Sequence, residues 1–454
     1  MKTIGLDIGT TTICAIVIDA SDGKVLKSVT LPNDTFRTDV KHFEKIQDPE
    51  KILSKAAALV DELLGEFDDV VSIGVTGQMH GLMYINEKGE SLSGLYIWQD
   101  ASANEIYKDG KSYAQYLTEL TGYKMASGFG GATYFYHTIN NMVPDSATKI
   151  CTIHDYVAMK LAGLNIPVMH TSDAASYGLF DIKNARFDET AIVKAGLSFD
   201  MFPEVTSENR ILGKKDGKIP VSVAIGDNQA SFLGSVCDVE DCLLINVGTG
   251  SQISFATKSE TAPAGLEVRP CVGEEKIMVG SSLCGGRAFA LLEKFFRETA
   301  ELVTGEECSS AYKGIDTFLE NTSEVENPVS FSTLFCGTRE NPEKRASIEN
   351  LGIDNFTPGH MVYGVMNGMA EELNEMYRTG ISVCEEKPRQ LIASGNGIRK
   401  NKTLQRIVSD IFGMEMKIPK HKEEAAYGSA IFSLTSAGIC DTIQSALQLI
   451  QYES

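Results

Sequence analysis

The run GLDIGTTTICAIVID, Gly5 to Asp19, constrains the fold more than any other stretch of the chain. Two apolar runs, Ile4–Ile8 and Ile13–Ile18, flank a centre of glycine and hydroxyl residues, and the first carries one carboxylate, Asp7. Alternation and β-branched residues predict the two strands of a hairpin, with Gly9 and Thr10–Thr12 at the bend. Such a bend offers backbone N–H groups and three hydroxyls that suit phosphate oxygens. An aspartate beside it suits Mg²⁺, bound directly or through water. An ordinary hairpin with a turn-capping aspartate accounts for the same residues, so a second copy of the pattern shifts the balance.

That copy is LLINVGTGSQISFA at 243–256. Aligned without gaps it places Gly248 on Gly9, Thr249 on Thr10 and Asn246 on Asp7, an offset of 248 − 9 = 239. VVSIGVTGQ at 70–78 has a counterpart in QLIASGNGI at 390–398, and VAIGDNQASFLGSV at 223–236 in KEEAAYGSAIFSLTSAG at 422–438. Order and hairpin type imply an internal duplication. Between these landmarks, stretches such as 49–67 and 286–299 carry apolar residues at helical spacing. The expected fold is α/β: two similar lobes with mixed sheets facing each other across a cleft, the hairpins supplying the antiparallel part. The boundary is expected near 235–240, giving lobes 1–237 and 238–454 joined by a short hinge.

A length of 454 residues accommodates two lobes with full cores. The net charge of -20 repels nucleic acid and acidic headgroups, so neither is expected as a partner. An anionic substrate has to be held against that field by local amides and metal. No run reaches the roughly 18 to 20 apolar residues of a membrane span, and Met1 leads directly into the first strand, so the protein is expected to be cytoplasmic. The 10 cysteines are scattered without a C-x-x-C pair, which suggests reduced thiols rather than a disulfide framework or zinc site.

Paired Gly/Thr hairpins in facing lobes resemble the sugar kinase, Hsp70 and actin superfamily, whose lobes are actin-like or ribonuclease H-like. Within it the chain resembles the FGGY carbohydrate kinases along essentially its whole length. The residues that carry this are DIGTTT, GVTGQMHG at 74–81, WQD at 98–100, TSDAASYGLFD at 171–181, FPEV at 202–205, GDNQAS at 226–231, NVGTGS at 246–251, GG at 285–286 and SGNG at 394–397. GQMHG, WQD, GFGGAT, DYVAMKLAG and GDNQAS look closest to the sedoheptulokinases, with the xylulokinases next. One departure stands out: where many members have W-x-D-x-R, the arginine position is Ser102. Walker A and protein-kinase signatures are absent.

The resemblance implies ATP-dependent phosphorylation of a ketose at a terminal primary hydroxyl, sedoheptulose first and xylulose second. It makes Asp227 the general base, although the residue also fits a helix N-cap. It gives Mg²⁺ to Asp7, the phosphates to Thr10, Thr11 and Thr12 on one side and to Gly248, Thr249 and Gly250 on the other. Gly285, Gly286, Gly395, Asn396, Gly397 and Asn401 would form the adenosine slot, because a flat base needs walls without side chains. Gln78, Met79, His80, Asp100 and Asn228, with Asp227, would contact the sugar. Trp98, the single tryptophan, reads as a core anchor, and His154 and Asp155 as helix-capping residues without chemistry. The resemblance is also compatible with a homodimer. A nucleotide-dependent switch and a non-catalytic sugar sensor are the rivals; the switch has no use for a carboxylate at Asp227 or polar residues at 78–80 and 100, and the sensor would gain nothing from keeping Asp7 and Asp227 together.

Overall fold

The first hairpin forms as its alternation requires. Strands β1 (Lys2–Ile8) and β2 (Thr12–Asp19) pair antiparallel, Lys2 opposite Asp19 and Ile8 opposite Ile13, leaving Gly9–Thr11 as the bend. The computed structural model describes residues 1–322, 324–338 and 341–453. Strand β3 (Val25–Pro32) continues the antiparallel order against β2. Helix α1 (Pro49–Glu66) begins where the Asp48 carboxylate accepts the N–H groups of Glu50 and Lys51, with Pro49 in the first helical turn. It buries one stripe, Ile52, Ala56, Leu59, Val60 and Leu63, and returns the chain so that β4 (Val70–Gly77) runs parallel to β1. Strands Ile211–Lys215 and Ile219–Ser222 extend the sheet beyond β4. Beneath it lies an aliphatic core that includes Ile4, Leu6, Ile8, Ile13 and Val17. A second, aromatic core gathers Tyr84, Tyr134, Phe135, Tyr177, Phe187 and Phe202. Helix α2 (Asp227–Leu233) follows the two-residue strand Ile225–Gly226.

The second half repeats this plan. Strands β5 (Cys242–Val247) and β6 (Ser251–Thr257) form the second hairpin, and β7 (Lys276–Ser282) pairs antiparallel with β6. After helix α3 (Gly285–Thr304), β8 (Gln390–Ser394) runs parallel to β5, followed by helix α4 (Lys402–Phe412). The orders β3-β2-β1-β4 and β7-β6-β5-β8 are the same, so the duplication inferred from two hairpins is present in strand order and direction.

The chain closes with helix α5 (Glu424–Ser436), and here the structure departs from the expected lobes 1–237 and 238–454. The main division does fall at Asp238, but one compact unit contains Met1–Asp238, Arg269–Glu275 and Glu423–Gln451, and the other Val239–Val268 and Lys276–Lys422. Rather than repeating α2 in the second unit, α5 packs on α2, β1 and β4 in the first. The reason is steric. A Cβ at Gly5 or Gly74 would overlap the carbonyl oxygens of Ala426 or Ser429, so bare backbone on the strands lets the helix lie flush. The hydroxyls of Thr3, Ser72 and Ser433 bond one another at 2.8–2.9 Å within this seam. Ala426 to Leu434 are buried on every side. Among the described residues no helix is long and apolar enough to cross a membrane.

Gly74→Ala is therefore expected to lower folding stability, and with it the thermal unfolding midpoint, the stability falling by the roughly 1–3 kcal/mol or more of an overpacked core. Gly65→Ala, in the exposed last turn of α1 with no heavy atom within 4 Å, is expected to raise the stability by about 0.5–1 kcal/mol. Thermal denaturation followed by circular dichroism checks both, and equal midpoints for the two variants would contradict the seam.

Candidate active site

The site in the first unit starts from strand register. Thr76 on β4 lies between Asp7 of β1 on one side and Ile225 on the other, which sets Asp227 two residues further along. Asp227 is the first residue of α2, but the cap position belongs to Gly226 and no side chain caps the helix. The capping alternative for Asp227 is thereby removed, and the residue is only partly buried. Burial pushes its pKa up to about 6, with His154 and Arg269 opposing the rise. Arg269, from a segment far downstream, donates from Nη1 to Asn228 Oδ1 at 3.2 Å. Nothing about the motif at 226–231 announces this arginine.

Asp7 is also partly accessible, but its Oδ1 is buried without a hydrogen-bond partner among the described residues. Burial, then the charges of Asp227 and Glu423, raise it to about 7. An orphaned carboxylate oxygen under the repulsion of two further carboxylates is a group whose charge a divalent cation would relieve, so Asp7 fits a Mg²⁺ ligand. The structurally equivalent Asn246 carries no charge; its Nδ2 donates to Ser394 Oγ at 2.9 Å.

Behind the carboxylates, His154 is not a cap. Thr152 caps that helix, accepting the Asp155 N–H, while His154 Nε2 lies 3.0 Å from Asp173 Oδ2 with both side chains fully buried. Burial disfavours the imidazolium, yet Asp173, Asp155 and Asp227 outweigh it and raise His154 to about 9. Burial and Asp173 hold Asp155 well above the usual carboxylate range. One imidazolium, one carboxylate and one neutral acid leave this cluster close to charge balance.

The expected sugar residues divide into two groups. Gln78 is buried in a network with the first bend: Thr10 Oγ1 donates to Gln78 Oε1 at 3.1 Å, Gln78 Nε2 to Gln47 Oε1 at 2.7 Å, and Gln47 Nε2 to the Thr10 carbonyl at 2.8 Å. Trp98 Nε1 donates to Thr10 Oγ1 at 2.9 Å. At 48% exposure Trp98 is no core anchor; its N–H is tethered and much of the indole is open to solvent. Met79 packs against Gly226, where an added Cβ would lie 2.8 Å from its Sδ. His80 has a φ of 71° and stacks on Phe129 with centroids 4.7 Å apart. Asp100 is the exception. It is buried, with Oδ2 accepting the Lys45 N–H at 3.1 Å and Oδ1 accepting both the N–H, at 3.0 Å, and the hydroxyl of Ser102. Ser102, standing where an arginine is expected from the resemblance, ties Asp100 into its own turn.

In the second unit, Gly286 N–H donates to the Gly248 carbonyl at 2.9 Å and Arg287 N–H to Thr249 at 3.0 Å, so the start of α3 is clamped to the Gly248–Gly250 bend. Gly285 is required there because a side chain would overlap Ser251 Oγ. A pocket of about 750 Å³ adjoins this clamp, lined among others by Gly286, Asn396, Gly397 and Asn401. Gly285 and Gly395 do not line it. Asn401 is also the cap of α4, its Oδ1 accepting the Leu404 N–H at 2.9 Å. Phe289 and Tyr312, rings 6.4 Å apart, supply pocket walls that no motif flagged.

A folded-state pKa of about 7 for Asp7 means that its contribution to stability is present below the unfolded value near 3.9 and lost as pH rises toward 7. Metal-free Asp7→Asn should therefore unfold roughly 3 °C or more above the wild type at pH 8 and show a smaller difference at pH 5. Added Mg²⁺ should stabilise the wild type alone. A midpoint difference independent of pH would contradict this account of Asp7.

With this geometry in place, comparison with known proteins is informative. Residues 2–234 match the FGGY family of carbohydrate kinases, N-terminal domain, and residues 243–437 its C-terminal domain. A sedoheptulokinase from Homo sapiens is 24% identical over 475 residues, covering 95% of this chain and 97% of the relative. A xylulose kinase from Staphylococcus xylosus is 24% identical over 460 residues, covering 95% and 90%. The crystal structure of xylulose kinase from Rhodospirillum rubrum superimposes with a TM-score of 0.84 at 18% identity, covering 100% of this chain and 93% of that one. The two domain matches span nearly the whole sequence, and the chain belongs to the FGGY family of carbohydrate kinases.

Proposed function

We propose that this kinase uses ATP to phosphorylate a ketose at a terminal primary hydroxyl in the cytoplasm, with sedoheptulose the first candidate and D-xylulose the second. The observation that carries the reading is the partly buried Asp227 beside the orphaned oxygen of Asp7. The names of the sedoheptulokinase and xylulose kinase relatives support the choice of sugars.

In this reading Asp227 accepts the proton of the attacking hydroxyl. The transition state for phosphoryl transfer is loose, so the proton leaves late and a carboxylate is basic enough. Asn228 and His80 orient the sugar. The His80 Nδ1 lies 2.7 Å from a backbone carbonyl, which can only accept, so Nδ1 carries a hydrogen and the ring orientation is fixed. Thr10, Thr11 and Thr12, and the amides of Gly248–Gly250, bind phosphate oxygens, while the pocket bounded by Gly286, Asn396 and Gly397 takes the adenosine. Asp7 would hold Mg²⁺, which when bound neutralises charge between the β- and γ-phosphates. Most of the acceleration then comes from positioning and charge neutralisation.

ADP release from MgATP is to be measured with sedoheptulose, xylulose, ribulose, fructose, gluconate, glycerol and no sugar. One ketose should stimulate it and appear as its phosphate. Release that no sugar changes would contradict the reading and favour a nucleotide-driven switch. Asp227→Ala should lower transfer by about 10²–10⁴-fold and leave ATP binding nearly intact. Because the base must be ionised, kcat/KM should fall on the acid side with a limb near the Asp227 value of about 6.

A further inference from the structure

The stretch HTSDAAS at 170–176 belongs to none of the roles above, yet it touches both ends of the sugar site. At one end, Ser172 Oγ accepts the Gly226 N–H at 3.2 Å, and the Ser172 carbonyl accepts Gln229 Nε2 at 3.1 Å. These bonds grip the chain on either side of Asp227. The Ser172 Oγ also lies 2.8 Å from His170 Nδ1, which accepts the Ser172 N–H at 3.1 Å. That nitrogen is therefore unprotonated, the hydroxyl donates to it, and the oxygen lone pairs stay directed at Gly226.

At the other end, Ser176 Oγ accepts the His80 N–H at 3.1 Å, and the Ser176 carbonyl accepts His80 Nδ1–H at 2.7 Å. The same hydroxyl donates to Asp173 Oδ1 at 3.3 Å, and Asp173 Oδ2 meets His154. Histidine at a φ of 71° is costly and persists only where its neighbours over-determine it. Two bonds from one serine, with Phe129 stacked on the ring, supply that constraint. The buried His154–Asp173 pair anchors the segment between its two grips.

We propose that residues 172–176 form a bridge that fixes the separation of the base and the sugar-recognition turn, with Ser172 the positioning residue for Asp227 and Ser176 the positioning residue for His80. The proposal rests on the reading of Asp227 as base and His80 as sugar contact. Losing Ser176 Oγ removes the acceptor of the part-buried His80 N–H and loosens the turn, whereas losing Ser172 Oγ disturbs the backbone that carries the base.

Steady-state kinetics on Ser176→Ala, Ser172→Ala, His80→Ala and the double variant Ser176→Ala/His80→Ala test it, using the sugar that stimulates the wild type. Ser176→Ala should raise the sugar KM about tenfold with kcat within about threefold and the ATP KM unchanged. In the His80→Ala background it should add less than about twofold, because the serine acts through the histidine. Ser172→Ala should show the opposite split, kcat falling about tenfold with the sugar KM within about threefold. Independent, multiplicative effects of Ser176 and His80, or equal changes in kcat and KM for both serines, overturn the bridge. Should Ser176→Ala fail to fold, the Ser172→Ala split alone decides. A wild type that no sugar stimulates overturns the kinase reading and the bridge together, and is distinguished from a failure of the bridge by that control.

Discussion

Everything at this site follows from keeping negative charge half out of water without a fixed partner. The charges of Asp227 and Glu423 act on Asp7, opposed by His154, and at Asp227 the opposing charges are His154 and Arg269. The arrangement is unfavourable in isolation, since burial and like charge both disfavour ionisation. Chemistry is what such an arrangement is suited to: a carboxylate that holds its proton more tightly than usual is a better base, and an orphaned oxygen is a ready cation ligand. The stability that offsets it lies nearby, in the seam where α5 lies on the bare strands at Gly5 and Gly74 and in the aliphatic core under β1.

The two halves show how a duplicated plan becomes asymmetric. Both have a hairpin, a glycine bend and a parallel strand beside it. In the first half the strand carries Asp7 and the bend carries Thr10, which is bonded to Gln78, Gln47 and Trp98. In the second, the equivalent of Asp7 is an asparagine satisfied by Ser394, and the bend is clamped to the start of α3 beside an uncharged-walled part of a pocket. Unpaired carboxylate charge thus collects at the first hairpin, and close backbone approach at the second.

Much of this was legible in the sequence. The hairpins announced themselves through period-two alternation and glycine, and Asp227 through its place between a buried strand and a helix. Features set by remote contacts were not. Helix α5 has no amphipathic face to read, because glycines and small residues hundreds of positions away surround it. Arg269 and Glu423 reach the carboxylates from segments whose local patterns say nothing of a site. The bonds that Asp100 accepts, from the backbone amide of Lys45 and from Ser102, were not readable in its motif, because Lys45 is far away in sequence. Trp98 looked like core because the bend that tethers its N–H is far away in sequence. His154 lies one residue into a helix, where local rules suggest capping, and only the tertiary fold brings Asp173 to it.

The central claim is that burial poises both aspartates, with the charge of Asp227 adding to it at Asp7, and the most direct measurement is an NMR titration of isotopically labelled aspartate carboxyls in the metal-free protein. Asp7→Asn and Asp227→Asn variants would assign the resonances. The account predicts that Asp7 titrates with an apparent value of about 7 and Asp227 of about 6, and that removing the Asp227 carboxylate lowers the value of Asp7. Two independent titrations near the ordinary aspartate value of about 3.9 would contradict it.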